Sequence, residues 1–292
     1  MSAVAGSLPA ATTEVAPRSP STGVGPRAGA RASLRDVEVL VRRNLIHISR
    51  EPLQLSDVTI QPVLFTLLFT YVFGSAIPIP GGSYKDFLIP GLLLLNLTTS
   101  AMGTAVGMVT DLTTGTIDRF CALPMWRSSV LVARSFADLL SAALCTTIVL
   151  ATGLAVGWRP HAGVAGFVAG LGVALLFSYA LCWACAALGV VSKGAESAQG
   201  VGLIILFPLA LVSNAFVPTT GMPGWMQAIA DWNPVSTVVA AARQLWGDPN
   251  PSHLVHAWPM QHPVQAALAW SLVILVVFAP LAAHLYRRRT TG

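Results

Sequence analysis

Apolar residues in this chain gather into long runs, and the polar positions between them are few and clustered. A helix crossing the hydrocarbon core of a bilayer needs roughly 20 predominantly apolar residues, so the runs are read as candidate spans. Six emerge: residues 58–77, 87–109, 135–157, 164–191, 200–216 and 265–286. The first starts after Asp57 and carries Gln61 and Pro62 near its beginning. The second is bounded by Asp86 and Asp111; its Asn96-Leu97-Thr98 triplet has the form of a glycosylation acceptor, but at membrane depth no glycosylating enzyme would reach it. In the third, the unbroken apolar part is Leu139 to Val156, and Arg134 and Asp138 stand one helical turn apart at its entrance, where they can pair and snorkel. The fourth is long enough to imply tilt, and Gly166, Gly170 and Gly172 offer small surfaces for close helix contact. The fifth is short and carries Pro208, Ser213 and Asn214.

Between these runs the pattern changes character. Residues 1–32, rich in Ala, Pro, Ser, Thr and Gly, lack the unbroken apolar stretch of a signal peptide and are expected to be a disordered cytosolic tail. In 33–51, Ser33 and Asp36 make a capping-box-like start. Leu34, Val37, Val41, Leu45 and Ile48 then form one stripe, while Arg35, Arg42, Arg43 and Arg50 take other faces. This predicts an amphipathic helix lying along the membrane surface with its arginines near anionic headgroups. A short mixed segment, 111–127, follows the second run.

The stretch 217–246, entered from Phe216, is too broken to span a bilayer and too apolar for an ordinary soluble loop. Pro223 and Pro234 each suit a first helical position, and Asn233 suits a cap. Two short helices are predicted. Trp225, Ile229 and Trp232 give the first an apolar, interface-seeking side; Val235, Val238, Val239, Ala242 and Leu245 or Trp246 recur at helical spacing on the second. The expectation is a helical hairpin dipping into the outer membrane face, against the alternative of a loop resting on the headgroups.

Composition agrees with the runs: 54% of the 292 residues are apolar and 10% charged, against about a quarter charged in a soluble domain. The formal net charge of +5 comes mostly from arginines beside apolar runs, which is a topology signal and gives no reason to expect nucleic acid as a partner. Six spans put both termini on one side. With that side cytoplasmic, all of the 17 Lys and Arg except Lys85, Arg159 and Arg243 lie inside. The expected setting is the inner (plasma) membrane, with the chain multi-pass and both termini cytoplasmic.

Most recognisable chemistry is missing. There is no Gly-Lys dipeptide, so no phosphate-cradling loop of the G-x-x-x-x-G-K-[ST] type, and no H-E-x-x-H or G-x-S-x-G. No charged residue sits near the middle of a predicted span, which argues against an ion-coupled carrier with intramembrane carboxylates. Cys182 and Cys185 form a C-x-x-C inside an apolar run, where small packing residues are expected rather than a redox or metal pair. His253, His256 and His262 amount to half a metal site at best, and no metal is expected.

Two of the exceptional segments carry a resemblance. Asp111, Gly115, Thr116, Arg119 and Pro124 match the D-x-x-x-G-T-x-x-R-x-x-x-x-P segment of type-2 ABC transporter permeases, although Thr114 stands where many relatives carry a charged residue. Phe216, Pro218, Met222, Pro223, Trp225, Ala230, Asn233, Pro234 and Arg243 resemble the outer hairpin of the same family. The order of parts after residue 33 is also similar, and the chain looks most like daunorubicin-resistance-type drug exporters. The resemblance implies an all-α polytopic membrane protein with six transmembrane helices, an N-terminal cytosolic amphipathic helix and an outer re-entrant hairpin between helices five and six.

It further implies a transport subunit that is not itself an enzyme. ATP and Mg would be held by a separate ABC ATP-binding subunit, docked on the coupling segment 111–127 beside the interfacial helix. A second permease half, identical or paralogous, would complete the transporter. Few charges along the runs suit a lipophilic drug-like compound or lipid as cargo. Competing readings are a permease for a polysaccharide or lipid-linked glycan, an ion-gradient-driven carrier, and a membrane anchor without a pathway. Dependence on ATP separates the carrier, and tolerance of pathway substitutions separates the anchor.

Overall fold

The computed structural model describes residues 52–74, 79, 82–113 and 127–291. Among them all regular structure is helical: α1 (Pro52–Phe73), α2 (Tyr84–Thr113), α3 (Arg127–Val156), α4 (Gly163–Val191), α5 (Ala195–Leu211), α6 (Gly224–Trp232), α7 (Pro234–Trp246), the single turn α8 (Trp258–Gln261) and α9 (Pro263–Thr291). Short 3-10 turns at Thr219–Gly221 and Pro251–Leu254 flank the α6–α7 pair.

The bundle is built around α2, which packs against α1, α3, α4, α5 and α7. Its sequence explains that position. Leu88, Ile89, Leu92, Leu93, Leu94 and Leu97 are all fully buried, so this helix is apolar around its whole circumference over the first half. Its buried polar residues close onto their own backbone: Asn96 Nδ2 donates to Leu92 O at 2.8 Å and Thr98 Oγ1 to Leu94 O at 2.7 Å. Satisfied in this way, they remain inside an apolar environment on bonds to their own helix. The second hub is α4, which lies against α9, α2, α7 and α3. Gly189 of α4 sits on the α2 backbone, since a Cβ there would run into Ala105 O and Met108.

Large apolar side chains also cover the outside. Leu64, Tyr71 and Val72 on α1, Ile204, Ile205 and Phe207 on α5, and Leu272, Val276 and Val277 on α9 are exposed. That continuous apolar exterior is foreign to a water-soluble monomer and fits a lipid environment.

Among the described residues, four helices are long and apolar enough to cross a membrane: Tyr84–Thr113, Asp138–Val156, Gly163–Val191 and Pro263–Arg289. The second, third, fourth and sixth apolar runs are thus found as long helices. The first and fifth differ. The apolar helical stretch Thr59–Phe73 within α1 and the helix Ala195–Leu211 end before the expected residues 77 and 216. For α5 the reason is local: Val212 N donates the last helical bond to Pro208 O, and Ser213 Oγ donates to Ala210 O at 2.6 Å, so the residues that follow are no longer helical. The tail 1–32 and the interfacial helix with Arg35, Arg42, Arg43 and Arg50 lie outside the described residues, as does 114–126 of the coupling segment.

Candidate functional site

The predicted pair of short helices is present as α6 and α7, and the two differ in what they bury. For α7 the local code is complete. Asn233 is the N-cap, its Oδ1 accepting from Val235 N at 2.8 Å; Pro234 occupies the first turn, where its missing N–H costs nothing; Gly247 ends the helix at φ 73°. Pro223, by contrast, is the N-cap of α6 and not its first helical residue. Every residue of α7 from Val235 to Arg243 is buried. It is a core element, wedged among α2, α4 and α9.

Its fit to α4 depends on glycine. A Cβ at Gly166 would strike Leu245 O, and one at Gly170 would strike the Trp246 ring. Gly172, grouped with them in the sequence, faces open space. In that slot Trp246 stacks on Phe167 at 5.8 Å and donates its indole N–H to Phe167 O at 3.1 Å.

Two polar side chains tie α7 to the end of α5. The last carbonyls of a helix lack partners within it, and those of α5 are met by Asn233, whose Nδ2 donates to Leu209 O at 2.6 Å and to Val212 O at 2.7 Å. Arg243, fully buried, reaches across to both α2 and the loop after α5. Its Nε and Nη2 donate to Phe87 O at 3.0 and 2.8 Å, Nη2 also donates to Ala215 O at 3.1 Å, and the guanidinium lies 3.5 Å from the centre of the Phe87 ring. Burial pulls its pKa down to about 9, opposed by Asp248 and Tyr84. The loop carrying Ala215 also presses on α2 where Gly91 leaves room, since a Cβ there would meet the Ala215 backbone.

The helix α6 is the opposite case. Trp225, Ile229 and Trp232 are all exposed, forming an aromatic side turned away from the bundle. Phe216 and Pro218, on the loop leading into α6, are half-buried; Phe216 stacks on Phe69 of α1 at 4.9 Å and its carbonyl accepts from Tyr84 Oη at 3.4 Å. Asp231 is buried under the hairpin beside Thr219, and burial raises its pKa.

A second polar cluster closes the same end of the bundle. Asp248, just beyond α7, accepts the Trp158 indole N–H at both carboxylate oxygens, at 3.2 and 3.1 Å, and His161 Nδ1 lies 3.7 Å from Oδ1. The amides of His161 and Ala162 donate to Trp246 O at 2.8 and 3.1 Å, so the α3–α4 loop caps α7. Sequence reasoning missed Trp158, His161 and Asp248. The one available signal was a Trp and an Asp in polar loops flanking apolar runs, which says nothing of their meeting across 90 residues.

Phe216, Pro218, Pro223, Trp225, Trp232, Asn233, Pro234 and Arg243 are therefore gathered at one end, with Arg243 and Asn233 as bonds and the tryptophans as surface. Asp111 is half-buried in the last turns of α2, at the other end. Gly115, Thr116, Arg119 and Pro124 lie outside the described residues. Cys182 and Cys185 are buried in α4, and no group of three or more metal-ligating side chains occurs among the described residues.

A family model for ABC-2 type transporters matches residues 35–246, a range that ends on the last residue of α7. The chain belongs to the ABC-2 type transporter family. This ABC-2 type protein is 36% identical over 249 residues to the daunorubicin resistance ABC transporter permease protein DrrB1 of Streptomyces coeruleorubidus, which covers 85% of this chain and 84% of the relative. It is 24% identical over 268 residues to the probable doxorubicin resistance ABC transporter permease protein DrrC of Mycobacterium tuberculosis, covering 91% and 94%. A more distant match, 25% over 170 residues, is the probable multidrug ABC transporter permease YbhR of Escherichia coli, covering 57% and 45%. The ABC-2 type chain is a membrane-embedded permease subunit of an ABC exporter.

Proposed function

We propose that this permease carries a lipophilic drug-like compound or lipid out of the cytoplasm or inner leaflet, using work done by a separate ABC ATP-binding subunit that holds ATP and Mg. The unit has six spans, α1 and α5 among them, and the α6–α7 pair is a re-entrant hairpin on the outer face of the plasma membrane. Both termini are cytoplasmic, and a second permease half completes the pathway.

The observation that supports this most is the continuity of α2. Phe87, which accepts the Arg243 clamp, and Asp111, which begins the coupling segment, stand on one unbroken helix. At 1.5 Å per residue they are roughly 36 Å apart, about the thickness of the hydrocarbon core and its edges. A displacement imposed on 111–127 by a docked motor would reach the hairpin through that rod, because packed helices shift as rigid bodies. The sequence identity to permeases named for daunorubicin and doxorubicin resistance favours a lipophilic cargo over a glycan.

In this reading α6 and its loop, more lightly held than α7, form the moving part of the gate. Trp225→Ala and Trp232→Ala, made together, are expected to change export or basal ATPase activity in proteoliposomes holding the permease and its ATP-binding subunit. Both side chains are exposed, so protein levels should hold. Unchanged transport at normal protein levels would count against the gate. Cargo movement without ATP, driven by an ion gradient, would replace the exporter reading with the carrier.

A further inference from the structure

Two buried groups at the hairpin end have opposite needs, and neither need is met in full by the protein. Arg243 is fully buried; its Nε and Nη2 are spent on the carbonyls of Phe87 and Ala215, and Nη1 has no protein partner. A guanidinium donates at every nitrogen and accepts at none, so Nη1 calls for an acceptor. The Phe87 ring covers one face of the guanidinium at 3.5 Å, and that acceptor must therefore lie in the plane of the fork. Asp248 has a side chain with no exposed surface, and its two oxygens share one donor, the Trp158 indole N–H. His161 Nδ1, at 3.7 Å, is too far for a hydrogen bond. A carboxyl group offers several lone pairs, and most of them here are unused. The two residues stem from one turn: Asp248 N donates to Arg243 O at 2.9 Å where the chain leaves α7 at Gly247. Each bears on the other electrostatically, yet among the described residues the ion-pair partner within reach of Asp248 is His161 and not Arg243.

We propose that one ordered water molecule bridges Arg243 Nη1 and the Asp248 carboxyl group. The chemistry of the two groups selects water over an ion. An anion at this place would face the acceptor oxygens of Asp248, and a metal cation would face the Nη1 donor. Water accepts from the one and donates to the other, and buried waters settle where polar groups lack protein partners. His161 is 58% exposed and stands beside Asp248, which puts the site one side chain away from solvent. The bridge joins two sets of bonds. Arg243 holds α2 through Phe87 and the loop after α5 through Ala215, while Asp248 holds the α3–α4 loop through Trp158. With the water in place, the end of α7 fastens all three segments as one unit. This is a property of the permease alone, without cargo or nucleotide, so its failure would leave the gate reading standing.

Hydrogen exchange of the purified chain in lipid nanodiscs tests the joining. Asp248→Leu removes the acceptors. Protection should then fall about fivefold or more in peptides covering 157–163, which Asp248 holds through Trp158, and also in 212–218, where the bond to Ala215 O comes from Arg243. Asp248→Asn keeps an oxygen for the water and should leave 212–218 within about twofold of the wild type. In an Arg243→Gln background the bridge is already gone, so Asp248→Leu should add no further loss in 212–218. A loss confined to 157–163 in Asp248→Leu, or losses in 212–218 that add in the double variant, would overturn the bridge. If Asp248→Leu does not fold, a wild-type structure fine enough to show ordered waters decides. A peak about 2.7–3.2 Å from both Nη1 and an Asp248 oxygen is expected. No peak there, or direct contact between the two side chains, would overturn the proposal.

Discussion

Replacing Arg243 by Gln removes a buried cation and keeps much of the side-chain length. Its cost follows from the bonds it makes. The Phe87 carbonyl retains its place in the α2 ladder, so the group left without a partner is mainly Ala215 O, at about 1–3 kcal/mol. Loss of the desolvated contact with the Phe87 ring adds about 1–2 kcal/mol. Part of this is returned, because a desolvated charge is no longer carried. A net local destabilisation of about 2–4 kcal/mol corresponds to a rise of roughly 30- to 700-fold in opening. Hydrogen exchange in nanodiscs should show it in peptides covering 84–95 and 212–218, with the α4–α9 contact unaffected. Arg243→Lys, a point charge in place of a planar fork, should fall between wild type and Gln. Wild-type protection in Arg243→Gln would refute the clamp. Loss spread evenly over the bundle would show a general stabilising role in its place.

Gly91→Ala, forced against the Ala215 backbone, should cost about 1–3 kcal/mol and lower the melting temperature in detergent, whereas Gly172→Ala, facing open space, should leave it unchanged or raise it. Asn233→Ala removes the α7 cap and exposes two carbonyls at the end of α5; a loss of about 2–4 kcal/mol is expected in denaturant titration, and a loss below 1 would show that water replaces the side chain. Because the folded chain binds the Asp248 proton more tightly than the unfolded one, its contribution to stability should fall as pH rises from about 4 to about 7 and then level off. Asp248→Asn should flatten that part of the stability–pH profile.

Much of this architecture could be read from periodicity, because lipid as a solvent demands long apolar helices and the chain supplies them. The cap and stripe of α7 were equally legible: Asn233, Pro234 and the valines act locally, within a turn or two of one another. What periodicity does not encode is how long an apolar run stays helical. Residues 212–216 continue the fifth run in sequence, but their backbone groups bond to Ser213, Asn233, Ser236 and Arg243. Nor does it encode which side of an amphipathic helix meets protein. The Trp225–Trp232 side of α6 and the valine side of α7 look alike in sequence, yet the first is exposed and the second is core. Arg243 belonged to the recognised hairpin pattern, but its destination on Phe87, 156 positions away, is a tertiary fact. The Asp248–Trp158 contact is another of that kind.

The account rests on α2 linking a driven end to a gated end across a membrane. Single cysteines placed at Arg119 and Trp225, in a background without the four native cysteines, can be labelled from one side of sealed vesicles with a membrane-impermeant thiol reagent. Opposite accessibility, with residue 119 reached only from the cytoplasmic side and residue 225 only from the outside, is the predicted result. Labelling of both from the same side would contradict it.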